Sequence, residues 1–232
     1  MNFKEGVLIP IDKPYRVTSF KALAHIRYLC TQANGSKVKM GHAGTLDPLA
    51  TGVLVLVTGR MTKQIESLQA HTKEYTATLQ LGATTDSYDM EHEVNATYPT
   101  EQISEDALKE VLKKFVGDID QVPPTYSAVK VNGERAFNYR RNGEEVKLKP
   151  KHIHIDEIEL TDFNKEKMQA SIRVVCGKGT YIRALARDIG RALNSGAYLT
   201  ALRRTRVGDI KVEDCVSYDN FEDWLVKQEI EH

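Results

Sequence analysis

The stretch Gly41–Leu56, GHAGTLDPLATGVLVL, decides how this chain is read. Three glycines, Gly41, Gly44 and Gly52, together with Pro48 mark a loop, because these residues punctuate regular structure. The loop feeds VLVLVT at 53–58, an apolar run of the length of a buried strand. Asp47 stands in the middle of the loop. A loop held by a strand is a common place for a catalytic group, since the scaffold fixes what the loop presents. Spacing alone, however, favours a plainer reading of Asp47 as part of an Asp-Pro turn. A phosphate cradle is a further reading of the glycines, but GxxxxGK[ST] is absent and no helix obviously starts here.

The pattern extends in both directions from this loop. Upstream, Thr18 or Ser19 can cap a helix in which Leu23, Ile26 and Cys30 share a face. Downstream, residues 74–81 alternate, with Tyr75, Ala77, Leu79 and Leu81 on one side and Thr76, Thr78 and Gln80 on the other. Ser104 opens a helix with Glu105 and Asp106 in its first turn, an apolar stripe of Leu108, Val111, Leu112, Phe115 and Val116, and Gly117 as its stop. Strands are expected near 153–160 and 170–176. Gly179 and Thr180 then lead into a helix with Ile182, Leu185, Ala186, Ile189 and Leu193 at helical spacing. Helices and strands alternate without a regular βαβ beat, so the expected class is α+β.

The 232 residues suit one large domain or two small ones, and 41% hydrophobic content is enough for a packed core. No run approaches the ~20 apolar residues of a membrane span. The first residues, MNFKEGVLIPIDKP, carry two acids and two prolines where a signal peptide needs a clean apolar run. A cytoplasmic protein with no membrane partner is expected. Cys30, Cys176 and Cys215 are odd in number and far apart, and no CxxC exists, which speaks against a disulfide framework and a cysteine zinc site. His152 and His154 alternate along an expected strand and no HExxH occurs, so no metal site is expected.

A net charge of zero argues against a nucleic-acid partner, yet the charge is unevenly spread. From Asp209 onward there are eight acids and two bases, a net of −6, so the preceding 208 residues carry +6. Residues 125–151 hold seven bases against three acids, with Tyr126, Phe137 and Tyr139 interleaved. Bases neutralise phosphates and aromatic rings stack on unpaired nucleobases, although a solvated hairpin has the same look. In CGKGTYIRALARDIG, 176–190, Arg183 and Arg187 lie one helical turn apart and either could extend to a carboxylate. In the last basic cluster, LTALRRTRVG, Arg203, Arg204 and Arg206 form a phosphate contact or simply a basic edge. Asp86, Asp89, Glu91 and Glu93 read as a solvated polar turn, with Asp89 a candidate support for a site. The residues by themselves name no reaction.

Five segments together resemble the TruB family of tRNA pseudouridine synthases: GHAGTLDPLATGVL, KEYTATLQLGATTDSYD (73–89), QVPPTYSAVKVNGERAFNYRRNG (121–143), CGKGTYIRALARDIG and GAYLTALRRTRVG (196–208). They occur in the family's order, between about Gly6 and Val212. The resemblance implies a mixed, mainly antiparallel sheet with helices around a central cleft. It implies a catalytic domain over 1–212, with 125–151 as a basic RNA-clamp insertion, and a short acidic tail over 213–232 too small for a PUA domain. The implied reaction turns uridine 55 in the TΨC loop of tRNA into pseudouridine. Asp47 matches the nucleophile, Arg183 the arginine that pairs with it and Tyr75 the ring that stacks on the target base. His42 matches a histidine beside the flipped nucleotide, and Tyr181 and Leu202 match residues lining the uracil pocket. Arg140, Arg141, Lys130, Arg203 and Arg204 are expected RNA contacts. The implied partner is the TΨC stem-loop, without guide RNA and without a cofactor, and the expected form is a monomer. Flipping the base costs a few kcal/mol of unstacking, of which an aromatic partner returns ~1–3 kcal/mol. A carboxylate can then form a covalent intermediate. The alternative is an RNA-folding module with secondary catalysis.

Overall fold

The computed structural model describes residues 1–127 and 148–231, and the backbone alone of 130–131 and 134–135. The chain forms two compact units, Met1–Tyr75 with Leu202–His232, and Thr76–Ala201. The first unit contains β1 (Leu8–Lys13), α1 (Ser19–Asn34), β2 (Met40–His42), β3 (Thr51–Thr58), α2 (Ile65–Ala70) and the start of β4 (Lys73–Leu81). The second contains the rest of β4, a hairpin of β5 (Ala83–Thr85) and β6 (Val94–Thr97), α3 (Glu105–Lys113), β7 (Gly117–Gln121), and a small hairpin of β8 (Lys130–Val131) and β9 (Glu134–Arg135). It continues through β10 (Lys151–Asn164), β11 (Gln169–Cys176), α4 (Ile182–Ala192) and the start of β12 (Ala197–Val207). The chain returns to the first unit with the end of β12, β13 (Ile210–Lys211), β14 (Val216–Ser217) and α5 (Phe221–Val226).

The apolar run 53–58 explains the first unit. β3 pairs antiparallel with β1, from Leu8 opposite Val57 to Lys13 opposite Gly52, and parallel with β12 at Arg203 and Arg204. β14 lies parallel to β1 on its other side, and β2 pairs antiparallel with the end of β3. Both faces of β3 are covered. Leu54 and Leu56 join Ile9, Ile11 and the α1 residues Ala22, Leu23, Ile26 and Cys30. Val53, Val55 and Val57 join Ala43 and Val207, with Met61, Ile65 and Leu68 packed against them. A strand buried on both sides has no need of polar alternation, which is why VLVLVT shows none. Thr18 caps α1 by accepting the Lys21 N–H at 3.0 Å, a contribution of about 1 kcal/mol.

In the second unit β10 pairs antiparallel with β11 on one side and β7 on the other. Ser104 accepts the Ala107 N–H at 3.1 Å and starts α3, which buries Leu108, Val111 and Leu112. The sheet pairings are mixed and mainly antiparallel, as expected for an α+β chain. The chain leaves the first unit in β4 and re-enters it in β12. Residues 213–232, acidic overall, are packed onto the first unit. Phe221 is fully buried and Leu225 nearly so, both in the core around α1. The acids of this segment face water while Phe221 and Leu225 turn inward, a division that net charge does not register.

Candidate active site

The Asp47 turn is fixed from both sides by the segment 13–19. The residue before Asp47 is locked by a reciprocal pair: the Leu46 N–H donates to Ser19 Oγ at 2.8 Å, and that hydroxyl donates to the Leu46 carbonyl at 2.9 Å. The residue after it is held as well, because the Pro48 carbonyl accepts the Arg16 N–H at 2.9 Å. Within the turn, the Ala50 N–H donates to the Asp47 carbonyl at 3.1 Å. Asp47 itself is half-buried.

Two cations lie under this turn. The Lys13 side chain is fully buried, and its ammonium donates to the carbonyls of Pro14 at 3.0 Å, Val17 at 2.6 Å and Pro48 at 3.4 Å. Burial pulls its pKa down to about 8, while the nearby Asp47 carboxylate pushes it up and Arg204 pulls it down. Arg204 is 2% exposed and donates to the carbonyls of Val53 at 2.8 Å, Gly44 at 3.0 Å and Thr45 at 3.5 Å. Its expected place on a phosphate-binding edge is therefore revised: the guanidinium faces inward and satisfies the carbonyls of the glycine loop. Arg203 makes a two-point contact with Asp12, at 2.7 and 3.1 Å, and donates to Thr51 Oγ1 at 3.2 Å.

The parallel pairing of β3 with β12 requires Gly52. A Cβ built there would stand 2.1 Å from the Arg204 carbonyl oxygen, and the backbone φ is +103. Gly52→Ala is expected to cost at least about 3 kcal/mol, from backbone strain and overpacking against an unyielding carbonyl. Urea unfolding measures this, and a wild-type midpoint would mean that β12 can move aside.

His42 ends β2 with its Nδ1 buried and without a hydrogen-bond partner among the described residues. Burial, followed by the charge of Arg204, lowers its pKa, which favours a neutral ring. Tyr75 is 8% exposed on β4, and Leu202 is half-buried on β12. The first unit thus brings Asp47, His42 and Arg204 onto one loop-and-strand scaffold.

The second unit carries Arg183 and Tyr181. Helix α4 is buried on almost every side, with Ala184, Leu185, Ala186 and Ile189 at 1% exposure or less. Arg183 and Arg187 are 5% and 6% exposed, so both arginines point inward and neither is a helix-surface residue. Arg183 lies 3.7 Å from Asp89 and donates to the carbonyls of Ser87 at 3.2 Å and Tyr126 at 2.9 Å. Asp89, expected in a solvated turn, is 5% exposed, and it also accepts from the Ser87 hydroxyl and the Glu91 N–H. Buried charges persist only when paired and hydrogen-bonded, and this pair meets that condition. Arg187 donates to the Val122 carbonyl at 2.8 Å. Gln121 exchanges two bonds with the Tyr181 backbone, at 2.9 and 3.1 Å. Residues 121–126, the root of the basic segment, are thereby fastened to α4. Arg140 and Arg141 lie outside the described residues, as does the side chain of Lys130.

Sequence reasoning missed Lys13. An isolated Lys-Pro carries no periodic signal, and only the fold shows three carbonyls converging on its ammonium.

Residues 31–182 match the family model described as "TruB family pseudouridylate synthase (N terminal domain)", and 183–232 match "tRNA pseudouridylate synthase B C-terminal domain". The chain is 59% identical over 232 residues to "tRNA pseudouridine synthase B" of Phocaeicola vulgatus, covering 100% of this chain and 98% of that relative. It is 58% identical to the protein of the same name from Bacteroides fragilis, covering 100% and 99%. Among solved structures it resembles a chain of a Cbf5-Nop10-Gar1 complex, with a TM-score of 0.70 and 30% identity, over 94% of this chain and 54% of that one. With both family models matched end to end from residue 31 and relatives nearly 60% identical over the whole chain, the chain belongs to the TruB family of pseudouridylate synthases.

Proposed function

We propose that this protein isomerises uridine 55 in the TΨC loop of tRNA to pseudouridine, with Asp47 as the nucleophile. The observation that carries the reading is the family motif GHAGTLDPLATGVL with Asp47 at its centre, in a chain nearly 60% identical to proteins named tRNA pseudouridine synthase B. The uridine ring is detached at nitrogen, turned and rejoined at carbon, so the base is first taken out of its stack. Tyr75 offers the flipped base an aromatic face. The Asp47 carboxylate forms the covalent intermediate. His42, Tyr181 and Leu202 surround the base in this reading. The pairing of Arg183 with Asp47 rests on the likeness of CGKGTYIRALARDIG to the family's signature. In this reading the basic segment 125–151 contacts the RNA, with Arg140, Arg141, Lys130 and Arg203 on its phosphates.

The rearrangement is redox-neutral and transfers no group to a second molecule, so no cofactor is required by its balance. Pseudouridine mapped in unmodified tRNA after incubation with the pure protein is expected at position 55, to the same extent with EDTA present. Conversion at other uridines alone overturns the assigned position. Loss in EDTA that zinc restores overturns the mechanism.

A further inference from the structure

Arg16 holds a backbone conformation that arginine does not favour. Its φ is +64, in the left-handed region where a Cβ crowds the backbone and glycine fits without penalty. Nothing in the local hydrogen bonding calls for a side chain, because the bond that fixes Arg16 runs from its own N–H to the Pro48 carbonyl. Strain of this kind is retained where the side chain has work to do. The side chain is exposed, and its guanidinium lies 5.4 Å from the centre of the Tyr15 ring, itself 43% exposed. Among the described residues the guanidinium has no carboxylate partner and no hydrogen bond. It is a planar, permanently charged fork held over an aromatic face, with its donors left to solvent.

Its position is set by the same contacts that hold Asp47. Ser19 grips Leu46 from one side of Asp47, and Arg16 and Lys13 grip Pro48 from the other. Segment 13–19 and the Asp47 turn therefore form one rigid piece, and Arg16 sits at its exposed rim. A uridine bound at Asp47 brings its own backbone phosphates with it. A guanidinium is well matched to a phosphate oxygen pair.

We infer that Arg16, braced by Tyr15, is an RNA contact at the rim of the Asp47 turn and takes a backbone phosphate beside the target uridine. This rests on the reading of Asp47 as the place where the nucleotide is bound. It adds a phosphate grip in the first unit, separate from the basic segment 125–151.

The test turns on opposite signs. Arg16→Gly relieves the backbone and removes the guanidinium, so the melting temperature should stay level or rise while tRNA binding weakens. Titrating tRNA binding against NaCl for wild type, Arg16→Gly and Arg16→Lys, with thermal unfolding of each, reads both. Arg16→Gly is expected to bind about tenfold more weakly at low salt, with the slope of log affinity against log salt reduced by about 0.7 to 0.9, one phosphate contact. Arg16→Lys should keep the slope and recover only part of the affinity. Wild-type affinity and slope in Arg16→Gly overturn the inference. A lowered melting temperature also overturns it, because the side chain would then be structural. Binding does not depend on which residue attacks the base. Failure of the nucleophile assignment would appear instead as turnover surviving in Asp47→Asn, and would leave these titrations unaffected.

Discussion

Asp47→Asn is expected to abolish pseudouridine formation while leaving the fold and the affinity for tRNA nearly unchanged. The substitution keeps the volume of the side chain and removes the charge and nucleophilicity of the carboxylate. The backbone contacts that fix the turn do not involve that carboxylate. The flanks of the turn are held through the backbone of Leu46 and Pro48 and its interior through the Asp47 carbonyl, all of which survive the change. Loss of a covalent nucleophile lowers turnover on the order of 10⁴-fold or more. Single-turnover rates at saturating tRNA, beside binding curves for both proteins, make the comparison. A variant within tenfold of the wild-type rate removes Asp47 from the role of nucleophile. A variant that loses affinity in proportion to rate would mean that the carboxylate organises the loop instead.

Arg183→Lys is expected to lower the single-turnover rate on the order of 10²- to 10³-fold, the usual cost of removing one preorganised electrostatic donor. The charge is retained, so an effect of this size measures geometry. The guanidinium serves several acceptors at once: the Asp89 carboxylate and the carbonyls of Ser87 and Tyr126. A lysine ammonium on a single stem cannot reproduce that planar fork. The carbonyls it abandons are buried or partly buried, and leaving a buried acceptor unsatisfied costs roughly 1 to 3 kcal/mol. A fall in melting temperature should therefore accompany the fall in rate. Asp89→Asn, which leaves Arg183 in place, separates the two consequences: it should lower stability by the loss of the ion pair and lower the rate less than Arg183→Lys. A wild-type rate in Arg183→Lys would show that Arg183 only holds residues 87 and 126 together.

Much of the fold was legible from local pattern. Thr18, one of two candidates with Ser19, and Ser104 were legible as helix caps because capping depends on a side chain and a backbone N–H two or three residues on. The strands expected at 53–58 and 74–81, and found at 51–58 and 73–81, were legible because burial of one face or both leaves a direct mark on the order of apolar residues. Asp47 was conspicuous as an acid in a glycine-rich loop, but pattern alone could not separate a nucleophile from an Asp-Pro turn. The proposal of Asp47 as the nucleophile rests instead on the likeness of five ordered motifs.

What escaped the sequence was the direction of the charged side chains. Arg204 looked like part of a basic edge and is buried beneath the glycine loop; Asp89 looked solvated and is buried against Arg183; Lys13 drew no notice and supports the Asp47 turn. Residues 213–232 looked like an acidic tail and place Phe221 in the core. Periodicity records how often a residue faces inward, and a lone arginine or lysine has no period. Whether its charge meets water or a set of converging carbonyls depends on strands far apart in sequence, such as β3 and β12, coming together, and that is decided only when the chain has folded.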